Sequence, residues 1–206
     1  MKNILLLLFI FFFYNCSAQN PIFAINDYSA NDFPGSYRKD TQNDFDKFLG
    51  TWKYEDTRTN KSFTITLKKA LQIHSRSQVY DFYEDIVFGD YKYSAFGFEV
   101  VNTLPDLSNT SMSPYDHSIV GNFILKPDRL PLCSECTQNE SRLKLIFIDS
   151  QRPYLRSRIV LRHRILFGIE KLEAILYSQE GVLLPEEDSP IEPRVPFGSY
   201  TLKKVQ

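Results

Sequence analysis

The chain has 206 residues, of which 24 are basic and 25 acidic, so its formal net charge is −1 and no overall field gathers nucleic acid; no nucleic-acid partner is expected. A hydrophobic fraction of 43% and an aromatic fraction of 15%, with 17 Phe and 12 Tyr, exclude a disordered chain and favour strands, on whose pleated faces flat rings pack.

Lys2 is followed by an unbroken apolar run over 4–14, and then by Asn15, Cys16, Ser17 and Ala18. This is the layout of a secretory signal over 1–18, since the run is far short of the ~20 apolar residues that cross a bilayer. Two outcomes of processing are expected. Cys16 sits where a lipoprotein signal carries the thiol that receives diacylglycerol, and Ala18 ends an ordinary small-x-small cleavage site. The chain is therefore expected to be exported, either as an outer-membrane lipoprotein held to the membrane through Cys16, or as a periplasmic or extracellular protein beginning at Gln19. More than one acyl chain, at about 0.8 kcal/mol per buried methylene, would make the anchor stable.

Residues 19–46 are rich in Asn, Asp, Ser, Pro and Gly, carry scattered aromatics at Phe23, Tyr28, Phe33 and Tyr37, and show neither helical nor strand periodicity. They read as a polar tether with a mean span of about 30 Å as a flexible coil. The alternative is that the aromatics dock on the domain that follows. A short helical turn is expected within 44–49.

From Gly50 the pattern changes to alternation. Phe63, Ile65 and Leu67 face one way while Thr64, Thr66 and Lys68 face the other, the mark of a half-buried strand. Similar runs occupy 51–56, 79–88, 90–95, 98–103, 118–126, 142–149, 154–165, 171–177 and 199–203. Short polar joints such as Arg58-Thr59-Asn60-Lys61 and Phe88-Gly89-Asp90 separate them, with longer loops at 104–116 and 127–140. Residues 47–206 are expected to form a single all-β domain, an eight- to nine-stranded antiparallel meander closed into a lipocalin-like barrel, because closure removes exposed edges.

Phe48-Leu49-Gly50-Thr51-Trp52-Lys53-Tyr54 resembles the Gly-x-Trp opening of the first strand in lipocalins and related fatty-acid-binding barrels. The resemblance implies that Gly50 and Trp52 plug one end of the barrel beneath a basic residue of the last strand, Lys203 or Lys204. Asp40-Thr41, Asn102-Thr103-Leu104-Pro105-Asp106-Leu107 and Glu192-Pro193-Arg194-Val195-Pro196-Phe197-Gly198-Ser199-Tyr200 resemble strings of a family of small exported flavobacterial proteins of unknown function. That resemblance implies export and a single domain, and no activity.

Chemistry-bearing patterns are few. Cys133-Ser134-Glu135-Cys136 lacks the second pair that a zinc site needs, and His74, His117 and His163 are far apart in sequence. A disulfide between Cys133 and Cys136 is expected, as suits an oxidising compartment, with Cys16 taken by lipid. Arg156, Arg158, Arg162 and Arg164 share a strand face. They read either as a stripe for an anionic ligand or, preferably, as a solvated outer wall paired with Glu170 or Glu173. Tyr80, Phe82, Glu84, Ile86 and Phe88 share a face that would surround one carboxylate with rings, and His163 points with the apolar set, which makes Glu84 and His163 the weak ligand candidates. The preferred readings are a structural or surface Glu84, since a bulge or register shift would turn it outward, and a hydrogen-bonded core His163. No phosphate-cradling glycine loop and no Gly-x-Ser-x-Gly elbow occurs, and Ser118 after Asp116-His117 is a coincidence of letters without geometry. No catalytic residue, metal or cofactor is expected. The leading expectation is a non-enzymatic envelope or secreted module whose interior takes a small apolar or amphipathic ligand. The alternative is a solid barrel that meets an envelope protein partner through its loops, and a hydrolase-type enzyme stands third.

Overall fold

A computed structural model describes residues 20–27, 29, 33–179 and 184–205. The leader expected over 1–18, with Cys16, lies outside them. Among the described residues eleven strands occur: β1 (Ile22–Ala24), β2 (Tyr37–Lys39), β3 (Gly50–Asp56), β4 (Lys61–Arg76), β5 (Asp81–Ala95), β6 (Phe98–Asn102), β7 (Ile119–Leu125), β8 (Arg142–Phe147), β9 (Ser157–Leu166), β10 (Ile169–Ser178) and β11 (Gly198–Lys204). Eight of them close a ring. β3, β4 and β5 pair in succession, β7 to β11 pair in succession, β11 returns to β3 and β5 meets β7, every pair antiparallel. The closed all-β barrel expected from the alternation is the fold of the chain, with β1, β2 and β6 outside the ring.

The keystone is β5. One of its edges is taken along its length by β4. The other is divided among β2 at Tyr83 and Glu84, β7 at Val87 to Gly89, and β6 at Lys92 to Ala95. The expected turn at Phe88-Gly89-Asp90 is therefore mid-strand, and the runs 79–88 and 90–95 are one strand. Glycine is required there for closeness and not for a bend: a Cβ on Gly89 would stand 2.1 Å from the Thr66 carbonyl oxygen. Gly121, at φ +149, lies within the register shift of β7 between Val120 and Phe123.

Residues 20–46, expected as a tether, are in their described part built onto the barrel, so the docking alternative is what the structure adopts. β2 adds in parallel to β5 and β1 in parallel to β2. They cover an edge of β5 whose N–H and C=O groups would otherwise lack strand partners. Phe45 and Phe48 are wholly buried, and a 3-10 turn at Asp46–Phe48 leads into β3. Alternate side chains enter the ring, among them Trp52, Phe63, Tyr91, Phe147, Leu161 and Leu202, each at most 1% exposed. Outward positions carry Lys53, Lys92, Arg158 and Glu173. An apolar inside with a charged outside is the reverse of a barrel that faces lipid along its wall.

Candidate functional site

At the end where β3 begins, Gly50 has φ +106 and the Trp52 indole donates from Nε1 to the Phe48 carbonyl oxygen at 2.9 Å. Lys204 Nζ stands 5.3 Å from the indole centroid, in the place anticipated for Lys203 or Lys204, and the His163 ring meets the indole edge-on at 5.9 Å. Glu170 stands between the two side chains, with Lys204 Nζ at 2.6 Å and His163 Nε2 at 3.9 Å. Burial pushes the His163 imidazole down from its ordinary pKa, against the pull of Glu170. His163 is thus a wall of the plug around Trp52.

Above the plug the rings fill the lumen. Phe63 lies 5.1 Å from Tyr200, 6.2 Å from Tyr91, 6.3 Å from Phe147 and 6.5 Å from Tyr93, and Tyr91 lies 4.5 Å from Phe147. These are the separations of packed aromatic pairs. The far end is closed by the segment before β11: Val195 is fully buried, and Arg194 clamps Asp149 through its guanidinium at 2.7 and 2.9 Å and its backbone N–H at 2.8 Å. Burial drives the Asp149 carboxyl upward, but these bonds outweigh it and hold its pKa below the ordinary carboxylate value.

Glu84 lies on the outer side of β5, opposite in alternation to Val87 and Tyr91 of the interior cluster. It is covered from outside: Tyr115 Oη donates to it at 2.8 Å, Asn122 Nδ2 at 2.6 Å, and Arg38 Nη1 stands 3.6 Å away. Its neighbour Asp85 accepts from Tyr37 Oη, from the Asp40 N–H at 3.0 Å and from the Gln72 N–H at 3.0 Å. Gln72 is the left-handed residue (φ +53) at the β4 bulge between Ala70 and Ile73. Asp40 in turn accepts from the N–H groups of Asp44 and Phe45 and from Lys69 Nζ at 2.9 Å. The three carboxylates tie the N-terminal segment, the bulge and the 114–122 region together. Burial and the adjoining carboxylates raise the pKa of both Tyr37 and Tyr115, so both phenols stay protonated donors.

Sequence reasoning missed a buried pair. Asp90 Oδ2 lies 2.6 Å from His117 Nδ1, and Asp90 Oδ1 accepts the Ser118 N–H at 3.1 Å. Reading Asp90 as a turn residue hid it. Ser118 joins the pair through its backbone N–H.

A cleft lies outside the ring, between the 127–141 loop and β8 to β10. It encloses about 330 Å³ and is lined by Leu132, Arg142, Val160, Arg162, Glu173 and Ile175 among others. The disulfide Cys133–Cys136 closes the loop tip. Arg142, 2% exposed, gathers the carbonyl oxygens of Lys126, Arg129 and Pro131 at 3.0, 3.0 and 2.6 Å. Arg162 reaches Glu140 at 3.1 Å, Glu173 at 3.3 Å and the Glu135 carbonyl oxygen at 2.9 Å, and Arg164 reaches Glu173 at 3.0 Å. The hydrogen bond from Arg162 holds the Glu140 carboxyl below its ordinary pKa. The arginine stripe is thus an outer wall with Glu173 as a partner. At Arg162 it is roofed by the loop and not solvated, while Glu170 pairs elsewhere. Among the described residues no group of three or more His, Cys, Asp or Glu is placed to hold a metal ion.

A family model described as "Family of unknown function (DUF6705)" matches residues 1–205, and the chain belongs to that family. No curated protein and no solved structure matches it.

Proposed function

We propose that this member of the DUF6705 family is an exported, envelope-held module without catalytic chemistry, whose solid barrel is a rigid carrier for binding surfaces on its outside. The observation that carries this reading is the filled lumen, in which Phe63, Tyr91 and Phe147 occupy the space that a ligand-holding barrel leaves open. It favours the protein-partner alternative over an interior apolar ligand. The carboxylates also support it. Glu84, Asp85 and Asp90 each accept from groups of distant elements, which fits load-carrying joints better than acids or bases waiting for substrate. The cleft beneath the disulfide loop is a candidate surface for a partner, with apolar Leu132 and Ile175 beside paired arginines and glutamates.

Native mass spectrometry of the protein purified from its own envelope tests the reading. The expected mass is that of the processed polypeptide with its N-terminal modification alone, and organic extraction yields no stoichiometric small molecule. A bound apolar compound released on unfolding, one per chain, would return the interior-ligand reading to first place.

A further inference from the structure

We infer that the end of the barrel at which β3, β5, β8 and β10 begin is laid on an anionic bilayer surface, with the β4–β5 and β9–β10 hairpin tips in the headgroup layer. The inference rests on the proposed lipidation of Cys16. Its first support is where the chain departs. The Tyr37 N–H donates to the Pro21 carbonyl oxygen at 2.9 Å, and the Gly35 N–H to the Asp81 carbonyl oxygen at 2.7 Å. Residues 20 and 21 are thereby fixed beside the first residue of β5. Three residues, Ser17, Ala18 and Gln19, separate Asn20 from Cys16, so the four steps between them reach at most about 14 Å. With β1 and β2 built into the sheet there is no 30 Å tether, and a lipid on Cys16 would hold this end against the membrane.

The second support is what that end displays. Val79 at the β4–β5 tip is 88% exposed, and Phe167 at the β9–β10 tip is 103% exposed, flanked by exposed Ile165 and Ile169. Phe167 and Gly168 have φ of +53 and +76, the two-residue turn of a tight hairpin, so the ring is presented by a short rigid loop. Ile22 and Phe33, beside the departing segment, are half-exposed as well.

The third support is charge. Lys171 is the register partner of Lys203, and Lys203 that of Lys53, so three lysines stand in a row across β10, β11 and β3 near this end. Lys53 is paired with Glu55 at 2.5 Å, while Lys171 and Lys203 stand directly opposite one another, and like charges so placed weaken a sheet unless an anion faces them. Apolar tips ahead of a lysine row are the arrangement that binds acidic headgroups.

The test uses the full lipidated chain, in which Cys16 and the Cys133–Cys136 disulfide leave an added cysteine as the one free thiol. Val79→Cys, Phe167→Cys and, at the opposite end, Phe96→Cys are each labelled with an environment-sensitive fluorophore and reconstituted in phosphatidylethanolamine–phosphatidylglycerol vesicles. Labels at 79 and 167 are expected to shift to the blue and brighten severalfold while the label at 96 stays as in water. Lys171→Glu with Lys203→Glu is expected to cut the response at 167 at least threefold. A response at 96, or none at 79 and 167 on vesicle-bound protein, overturns the inference. Mass spectrometry of the N-terminus separates the two proposals. If the mature chain starts at Gln19 without lipid, the anchoring reading fails, and the same labels on that soluble form then decide: brightening at 79 and 167 keeps the inference, and silence at both overturns it.

Discussion

Replacing Phe63 by Ala measures how solid the barrel is. Phe63 is fully buried and stands within 5.1 to 6.5 Å, centroid to centroid, of four other rings. In a packed interior Phe→Ala costs about 3–5 kcal/mol, because the lost transfer energy is joined by a cavity that the surroundings only partly fill. Four ring neighbours that are themselves pinned leave little room to collapse, so the upper half of that range, about 4 kcal/mol, is expected. This is a large share of the 5–15 kcal/mol by which domains are stable. At roughly 2–4 °C per kcal/mol for a chain of this size, Tm should fall by about 8–16 °C. Urea unfolding followed by the single tryptophan, Trp52, reads the change as a shifted midpoint with an unchanged slope. In a barrel with an open lumen, Phe63 would line a space already empty and its truncation would remove few contacts. A loss below about 1 kcal/mol would therefore refute the reasoning.

Gly89→Ala should prevent closure, since the new methyl group meets the Thr66 carbonyl oxygen where β5 joins both β4 and β7; a loss of soluble monomer on gel filtration is expected. Arg142→Met should cost about 3–5 kcal/mol, because three loop carbonyls lose a charged donor, and limited proteolysis should cut first within 127–141. Asp149 has its folded pKa depressed, so its contribution is present above the ordinary carboxylate pKa and lost as pH falls through the lower folded value. Asp149→Asn should accordingly be less stable than the parent at neutral pH and lose less of its remaining stability between about pH 5 and 2. His163 is also depressed, from 6.5, so the unfolded chain takes up its proton first and stability falls as pH drops below 6.5. His163→Gln should flatten that part of the pH–stability curve.

Alternation made the ring legible. Phe63, Ile65 and Leu67 against Thr64, Thr66 and Lys68 fixed which face of β4 is inside, and Trp52 with a C-terminal lysine anticipated the plug. Gly89 misled because a glycine beside an aspartate is ordinarily a turn, whereas here it answers a close approach of two backbones that no local pattern encodes. The pairing of Asp90 with His117 stayed hidden for the same reason, since a residue assigned to a turn is not searched for a buried partner. The N-terminal segment was half legible: its aromatics were visible, but three-residue strands are too short to show a period, and their place depends on the edge that β5 leaves open. Glu84 was assigned the right face-mates, and its outward, structural placement was the preferred reading, but its partners stayed hidden because Tyr115, Asn122 and Arg38 come from distant segments to cover the outer wall there.

Diffraction from crystals pressurised with xenon examines the lumen most directly, because xenon occupies empty apolar cavities and leaves packed ones alone. The account predicts no xenon and no foreign density between Phe63, Tyr91 and Phe147. A xenon atom or an elongated ligand refined among those three rings would contradict it.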